Sequence, residues 1–224
     1  MNPQSFLNEL KSIQLSGVFN PYADKCGVHD LVDAPEIRRR NLRSYLSAIV
    51  ESGADTVWMG RDLGYRGGRR TGLALTDEAH LNQVGSSYPG STAARATKGP
   101  LIAERTAAEI WALLPKLQLP PLLWNVFPFH PHDEDEPFSN RRFTSRELAA
   151  VNEANHVLFS WLNIRRIVCI GQDAMQYAQS FGVEVECVRH PSYGGVRDFR
   201  AGIKRIYGEL MSASSPKDAQ TCLF

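Results

Sequence analysis

Four short apolar runs rich in β-formers punctuate the chain: Thr56-Val57-Trp58-Met59, Leu122-Leu123-Trp124-Asn125-Val126, Ile167-Val168-Cys169-Ile170 and Val183-Glu184-Val185-Glu186-Cys187-Val188. The stretches around them repeat their apolar residues at helical spacing. One helical pattern covers about residues 35–52, with Pro35 in its first turn and Gly53 past its end. Others cover about 100–114, 144–162, 173–181 and 198–211, and the one from 144 opens on Thr144-Ser145-Arg146-Glu147, a capping-box pattern. Strands alternating with helices predict a parallel sheet covered on both faces, a three-layer α/β/α sandwich around four parallel strands. The 224 residues fit a single domain over 1–211, followed by a polar tail over 212–224.

The composition, 43% hydrophobic and 22% charged, is that of a globular chain long enough to bury a sizeable core. A net charge of +1 does not mark a nucleic-acid binder, but 19 of the 25 basic residues are arginine, the side chain that grips phosphate bidentately. They cluster: Arg38, Arg39, Arg40 and Arg43; Arg66, Arg69 and Arg70; Arg141, Arg142 and Arg146; Arg189, Arg197 and Arg200. Such patches can follow a DNA backbone, although the first cluster equally suits a solvated helix face. Cys26, Cys169, Cys187 and Cys222 form no CxxC pair, which leaves an iron–sulfur cluster without ligand spacing. Cys169 and Cys187 read as buried free thiols. With neither a signal-peptide pattern nor an apolar run of membrane-spanning length, the expectation is a soluble, cytoplasmic protein without membrane contact.

In open α/β sheets the chemistry sits in loops beyond the carboxyl ends of the strands. Three such loops are unusual here: residues 60–78, 125–144 and 189–195. The first is rich in glycine and arginine, but its glycines give neither GxGxxG nor a GK[ST] P-loop. Asp62 is one acid among its arginines. On this loop alone it suits a charge-stabilising carboxylate and a turn cap or arginine partner equally well. The second loop contains His130-Pro131-His132-Asp133-Glu134-Asp135-Glu136, which reads as a solvated acidic loop in preference to a metal site. His156 lies within a helix pattern, and Gly171-Gln172-Asp173 reads as a strand-to-helix turn.

The first loop then yields a specific likeness. GRDLGYRGGRRTGLALT aligns without a gap on the water-activating motif of uracil-DNA glycosylases, GQDPYHGPGQAHGLAFS. Gly60, Asp62, Gly68, Gly72, Leu73 and Ala74 are identical, and Thr76 replaces serine. The second loop, with Asn125 at its strand end and Asn140-Arg141 before a helix cap, is similar to the iron–sulfur branch of that superfamily but lacks its cluster cysteines. Arg189-His190-Pro191-Ser192 resembles the second catalytic motif, HPS. The three loops keep the order and spacing of the uracil-DNA glycosylase superfamily from about Val57 to Gly195.

The resemblance implies base flipping into a pocket and hydrolysis of the N-glycosidic bond, without metal or cofactor, by a monomer acting on uracil-containing DNA. It implies Asp62 and His190 as the catalytic pair, with Asn125 on the pyrimidine edge and Leu63, Gly64, Tyr65 and Leu75 around the base. Backbone amides near Asp62 and Leu63 would complete that pocket. Ser192, Tyr193, Gly194 and Arg197 on the third loop, with Arg66, Arg69, Arg70, Arg141 and Arg142, become the expected DNA contacts. Three departures shape the expectation. Gly64 stands where a tyrosine blocks the thymine methyl group, as in mismatch-specific relatives that accept thymine, with Tyr65 as a candidate replacement. Leu75 replaces the stacking phenylalanine, leaving Phe127 or Phe129 to supply that ring. Tyr193-Gly194-Gly195 replaces the proline–leucine wedge, so Tyr193, Val196 or Arg197 would fill the gap in the duplex. The same departures fit an alternative, a catalytically weak DNA-binding or damage-sensing member. A small-molecule nucleotide enzyme on a similar sheet is a third possibility.

Overall fold

The computed structural model describes residues 1–208. Its centre is a four-stranded parallel sheet in the order β3 (Leu122–Phe127), β2 (Thr56–Asp62), β5 (Arg166–Ile170), β6 (Glu184–Val188). Helices flank it to give the expected three-layer α/β/α architecture: α1 (Pro3–Ser12), α2 (Ala34–Ser52), α5 (Arg105–Trp111), α6 (Ser145–Trp161), α7 (Gln172–Ala178) and α8 (Val196–Tyr207). One-turn helices α3 (Gly68–Thr71) and α4 (Val84–Ser87) lie within the long connection after β2. The polar tail and the end of the last helix, expected near Met211, fall outside the described residues. No described helix is long and apolar enough to cross a membrane.

The first three apolar runs become strands covered on both faces. Every residue of β3 is buried, and Val57, Trp58 and Met59 of β2 have no accessible surface. Each such side chain contributes roughly 1.5–3 kcal/mol of burial. Polar links then fix helices to strands. Trp124 Nε1 donates to Asn155 Oδ1 at 2.9 Å, and Asn155 Nδ2 donates to the Val126 carbonyl at 2.7 Å, tying α6 to β3 on either side of Asn125. Trp58 Nε1 donates to Tyr207 Oη at 2.7 Å, tying α8 to β2. β6 lies at the sheet edge, where Glu184 and Glu186 pair with Arg166. Cys169 is buried, which pushes its thiol up to about 12, whereas Cys187 is only half-buried.

Three departures from the sequence expectation matter for the site. β2 continues past Met59 to Asp62 because Gly60 pairs with Asn125 and Asp62 with Phe127, so Asp62 is held by the sheet and not by a loop. Helix α5 starts at Arg105 instead of about residue 100. There Gly99 has a φ of 82° and Arg95 Nη2 gathers the carbonyls of Lys98, Gly99 and Pro100, which commits that segment to a turn. α1 and the antiparallel pair β1 (Val18–Phe19) and β4 (His130–Pro131) are additions that short, low-contrast segments did not reveal. That pair docks the N-terminal segment against the second loop.

Candidate active site

The carboxyl ends of the parallel strands bring Asp62, Asn125 and His190 to one edge of the sheet. Asp62 ends β2, with a side chain only 7% accessible. The neighbouring Arg61 Nε grips its carboxylate, and Arg61 Nη1 reaches across to Asp173 Oδ2 at 2.9 Å. Arg142 Nη2 meets the same Asp173 carboxylate at 3.1 Å. Burial pushes the Asp62 carboxyl above its ordinary value; Arg61 opposes that shift and the charge of Asp173 adds to it. The result is a desolvated acid whose charge is held by one guanidinium.

Asn125 lies on the adjacent strand β3, paired with Gly60, two residues before Asp62. Its side chain is buried, and Oδ1 has no hydrogen-bond partner among the described residues. A buried amide oxygen left unpaired costs about 1–3 kcal/mol, so this one is poised for a donor that arrives with a ligand. Gly60 leaves the space beside it: a Cβ there would lie 2.4 Å from Asn125 Oδ1 and 3.1 Å from Leu75 Cδ2. Leu75 itself has a φ of 53°, a left-handed conformation disfavoured for a bulky side chain, at the place where the resemblance puts a base-facing residue.

His190 follows β6 and packs against the end of β5, where a Cβ on Gly171 would fall 3.1 Å from the His190 Cβ. His190 Nδ1 accepts the Ser192 backbone N–H at 3.2 Å and lies 2.7 Å from Ser192 Oγ. A ring nitrogen that accepts carries no proton, so Nε2 is the donor. Burial, then the charges of Arg189 and Arg61, push the ring below its ordinary pKa and keep it neutral. The turn that follows exposes Tyr193, which has 94% of its surface accessible and a φ of 50°, beside Gly194 at a φ of 77°.

The remaining expected residues divide sharply. Arg66, Arg142 and Arg197 are exposed, Arg142 while meeting Asp173, whereas Arg69 and Arg70 are turned inward. Arg69 lies 4.1 Å over the Phe19 ring and holds the Pro137 carbonyl and His130 Nδ1; Arg70 bonds Thr97 and Glu78. Those two guanidiniums are consumed by the interior, which removes them as phosphate contacts. Arg141 clamps Glu147 and the Gly17 and His132 carbonyls. In the first cluster Arg38 is also buried, against Asp30, while Arg40 and Arg43 stay exposed.

Other expectations need correction. The Leu63 amide donates to the Phe129 carbonyl at 3.1 Å and its side chain is buried under Gly68, so neither is free for a base. Phe127 and Phe129 have no accessible surface and pack on each other, 5.6 Å between ring centres. Tyr65 turns to Arg66 and Phe138. The side chain that stands against Gly64 is Glu104, with Asn140 Oδ1 beside it. Sequence reading missed Glu104, which falls inside the helical pattern expected from about residue 100, where an acid reads as a solvated helix side chain. His130 is fully buried, donating through Nε2 to the Ser139 carbonyl at 2.7 Å; burial and Arg69 push it down to about 3, while Asp133 to Glu136 are exposed. No group of three or more metal-ligating side chains occurs among the described residues.

A cleft of about 700 Å³ opens beside the cluster and not within it, between Val28-His29, Tyr65-Arg66 and residues 98–103. Its lining includes the exposed Arg66 and Lys98 together with Arg70, which is held inward by Thr97 and Glu78. No family model matches the chain, and no curated protein matches it in sequence.

Proposed function

We propose that this chain is a DNA glycosylase that flips uracil out of DNA and hydrolyses its N-glycosidic bond, leaving an abasic site. The observation that carries the reading is the unpaired, buried Oδ1 of Asn125, one strand from the desolvated Asp62 and on the same sheet edge as a neutral His190. In this reading Asn125 Oδ1 accepts the N3–H of uracil. Cytosine presents an acceptor at that position and would leave two acceptors facing each other, which discriminates strongly.

As the bond from C1′ to N1 breaks, its electron pair goes to the base. His190 Nε2–H donates to the O2 of the departing uracil anion, and this interaction strengthens as charge develops. The Asp62 carboxylate stabilises the positive sugar and orients the water whose oxygen bonds to C1′; the proton that water loses passes to solvent, from which the departed uracil anion takes one up. Arg61 limits the upward shift of Asp62 and so favours its charged form. Arg66, Arg142 and Arg197 are the phosphate contacts, and the exposed Tyr193 is the side chain that fills the gap left by the flipped base.

The test is incubation with a single-uracil oligonucleotide, single- or double-stranded, followed by alkali. Cleavage at the uracil supports the reading, and intact DNA in both forms rejects it. Binding without cleavage would favour the damage-sensing alternative, for which Leu75 in place of an aromatic ring is the specific support. A G·T substrate tests whether Gly64 admits thymine.

A further inference from the structure

Arg61 and Asp62 are successive residues of β2. Successive side chains leave a strand on opposite faces, so contact between these two requires the arginine to fold back round the strand end. It does so from an anchor on α7: Arg61 Nη1 donates to Asp173 Oδ2 at 2.9 Å, and Nε donates to Asp62 Oδ2. Asp173 stands in the first turn of α7 and also accepts from Arg142 Nη2, at 3.1 Å to Oδ1 and 3.2 Å to Oδ2. A chain of alternating charge, Arg142, Asp173, Arg61 and Asp62, thus runs from an exposed arginine to the buried carboxylate.

The grip on Asp62 is one-sided. Arg61 Nη2 lies 3.5 Å from Asp62 Oδ1, at the long limit of a hydrogen bond, and that oxygen has no other hydrogen bond among the described residues. An unanchored guanidinium would close on both oxygens as a fork and occupy the whole carboxylate. Here the hold of Asp173 on Nη1 keeps the fork open. Burial, then the charge of Asp173 on α7, oppose ionisation of Asp62, while Arg61 and Arg141, the latter from the loop before α6, favour it. Glu104, at the start of α5, is the other acid in range.

We infer that Arg61 and Asp173 are positioning residues for Asp62: Asp173 holds the guanidinium on one carboxylate oxygen, Oδ2, and so leaves Oδ1 to the attacking water. The inference rests on the glycosylase reading, in which Asp62 orients that water. Without Asp173 the fork closes over Oδ1. Without Arg61 the carboxylate loses its side-chain hydrogen bonds and its nearest cation. Polar groups fixed in advance need no rearrangement during the reaction.

The experiment measures single-turnover excision of uracil from a duplex at saturating protein, from acid to alkaline pH. Wild type, Asp173→Ala, Asp173→Asn and Arg61→Gln are compared, with the fold of each checked by its melting curve. Asp173→Ala should cut at least about tenfold more slowly at its pH optimum, even though loss of a neighbouring acid makes Asp62 easier to ionise. Asp173→Asn, which keeps an oxygen for Nη1, should retain most of the rate. Arg61→Gln should move the acid limb of the profile up by about one pH unit or more, since the rate needs the ionised carboxylate. His190 can donate through Nε2 whether neutral or charged, so this limb reports Asp62. A merely structural role would lower the melting temperature and leave the limb in place. Asp173→Ala cutting at the wild-type rate, or an acid limb that does not move in Arg61→Gln, overturns the inference, while excision by wild type leaves the glycosylase reading standing. Wild type that excises no uracil fails that reading first and takes this inference with it.

Discussion

Gly60 and Asn125 face each other across β2 and β3 so closely that a Cβ on the glycine would lie 2.4 Å from the asparagine Oδ1. The amide is thus held where it is by the absence of a side chain on its neighbour. Gly60→Ala should push Asn125 out of position with little effect on the strand itself, lowering kcat/KM on uracil DNA by at least about tenfold. Its cost in stability should stay near about 1–3 kcal/mol, as for other overpacked sites. Unchanged kinetics in a folded variant would show that Asn125 does not read the base.

The arginine clusters predict two different failures. Arg38 is paired with Asp30 at 1% and 2% side-chain exposure, so Arg38→Ala leaves a buried carboxylate without its counter-charge, held only by the Cys26 backbone N–H, and should cost about 3–5 kcal/mol of stability. Arg69→Ala, which removes the stack on Phe19, should also act on stability. Arg66→Ala and Arg142→Ala should leave the melting temperature nearly unchanged, weaken DNA binding, and each reduce the salt dependence of binding by about one unit of slope. Binding titrations at several salt concentrations, beside melting curves, separate the two groups. Equal losses of affinity in all four variants at full stability would contradict the assignment.

Glu104 makes stability depend on pH in a defined direction. Its carboxyl is raised from 4.5 to about 7, so between those values the folded protein holds a proton that the unfolded chain has released. Its contribution is complete below pH 4.5 and is lost as pH rises through 7. Glu104→Gln should therefore raise Tm relative to wild type at pH 8 and not at pH 4, with a ceiling of about 3 kcal/mol. His130 titrates in the opposite sense, so the comparison is made with wild type at each pH. An identical difference at both pH values would contradict the burial of this carboxyl.

The sheet was legible because β2, β3 and β5 are buried on both faces and read as apolar runs, while the edge strand β6 reads as an alternation of apolar residues with Glu184 and Glu186. The sandwich follows from their alternation with helices. That Asp62, Asn125 and His190 share one sheet edge was legible because all three lie at or beyond the carboxyl ends of parallel strands; the roles proposed for them come from the resemblance. The inward turn of Arg69 and Arg70 was not, since a guanidinium in a glycine-rich loop looks the same whether it meets solvent or Phe19 and Glu78. Nor was the approach of Glu104 to Gly64 and Gly67, 42 residues beyond Asp62 in the chain. Contacts between distant loops depend on how irregular backbone packs, and no local period records them.

The central claim is that Asp62 stabilises charge at the sugar. Its most direct test is the single-turnover rate of Asp62→Asn on a single-uracil duplex, measured beside the affinity for the same DNA. The substitution keeps the size of the side chain and removes its charge. The expected result is excision slower by about a hundredfold or more, with binding nearly unchanged. A variant that cuts as fast as wild type would contradict the account.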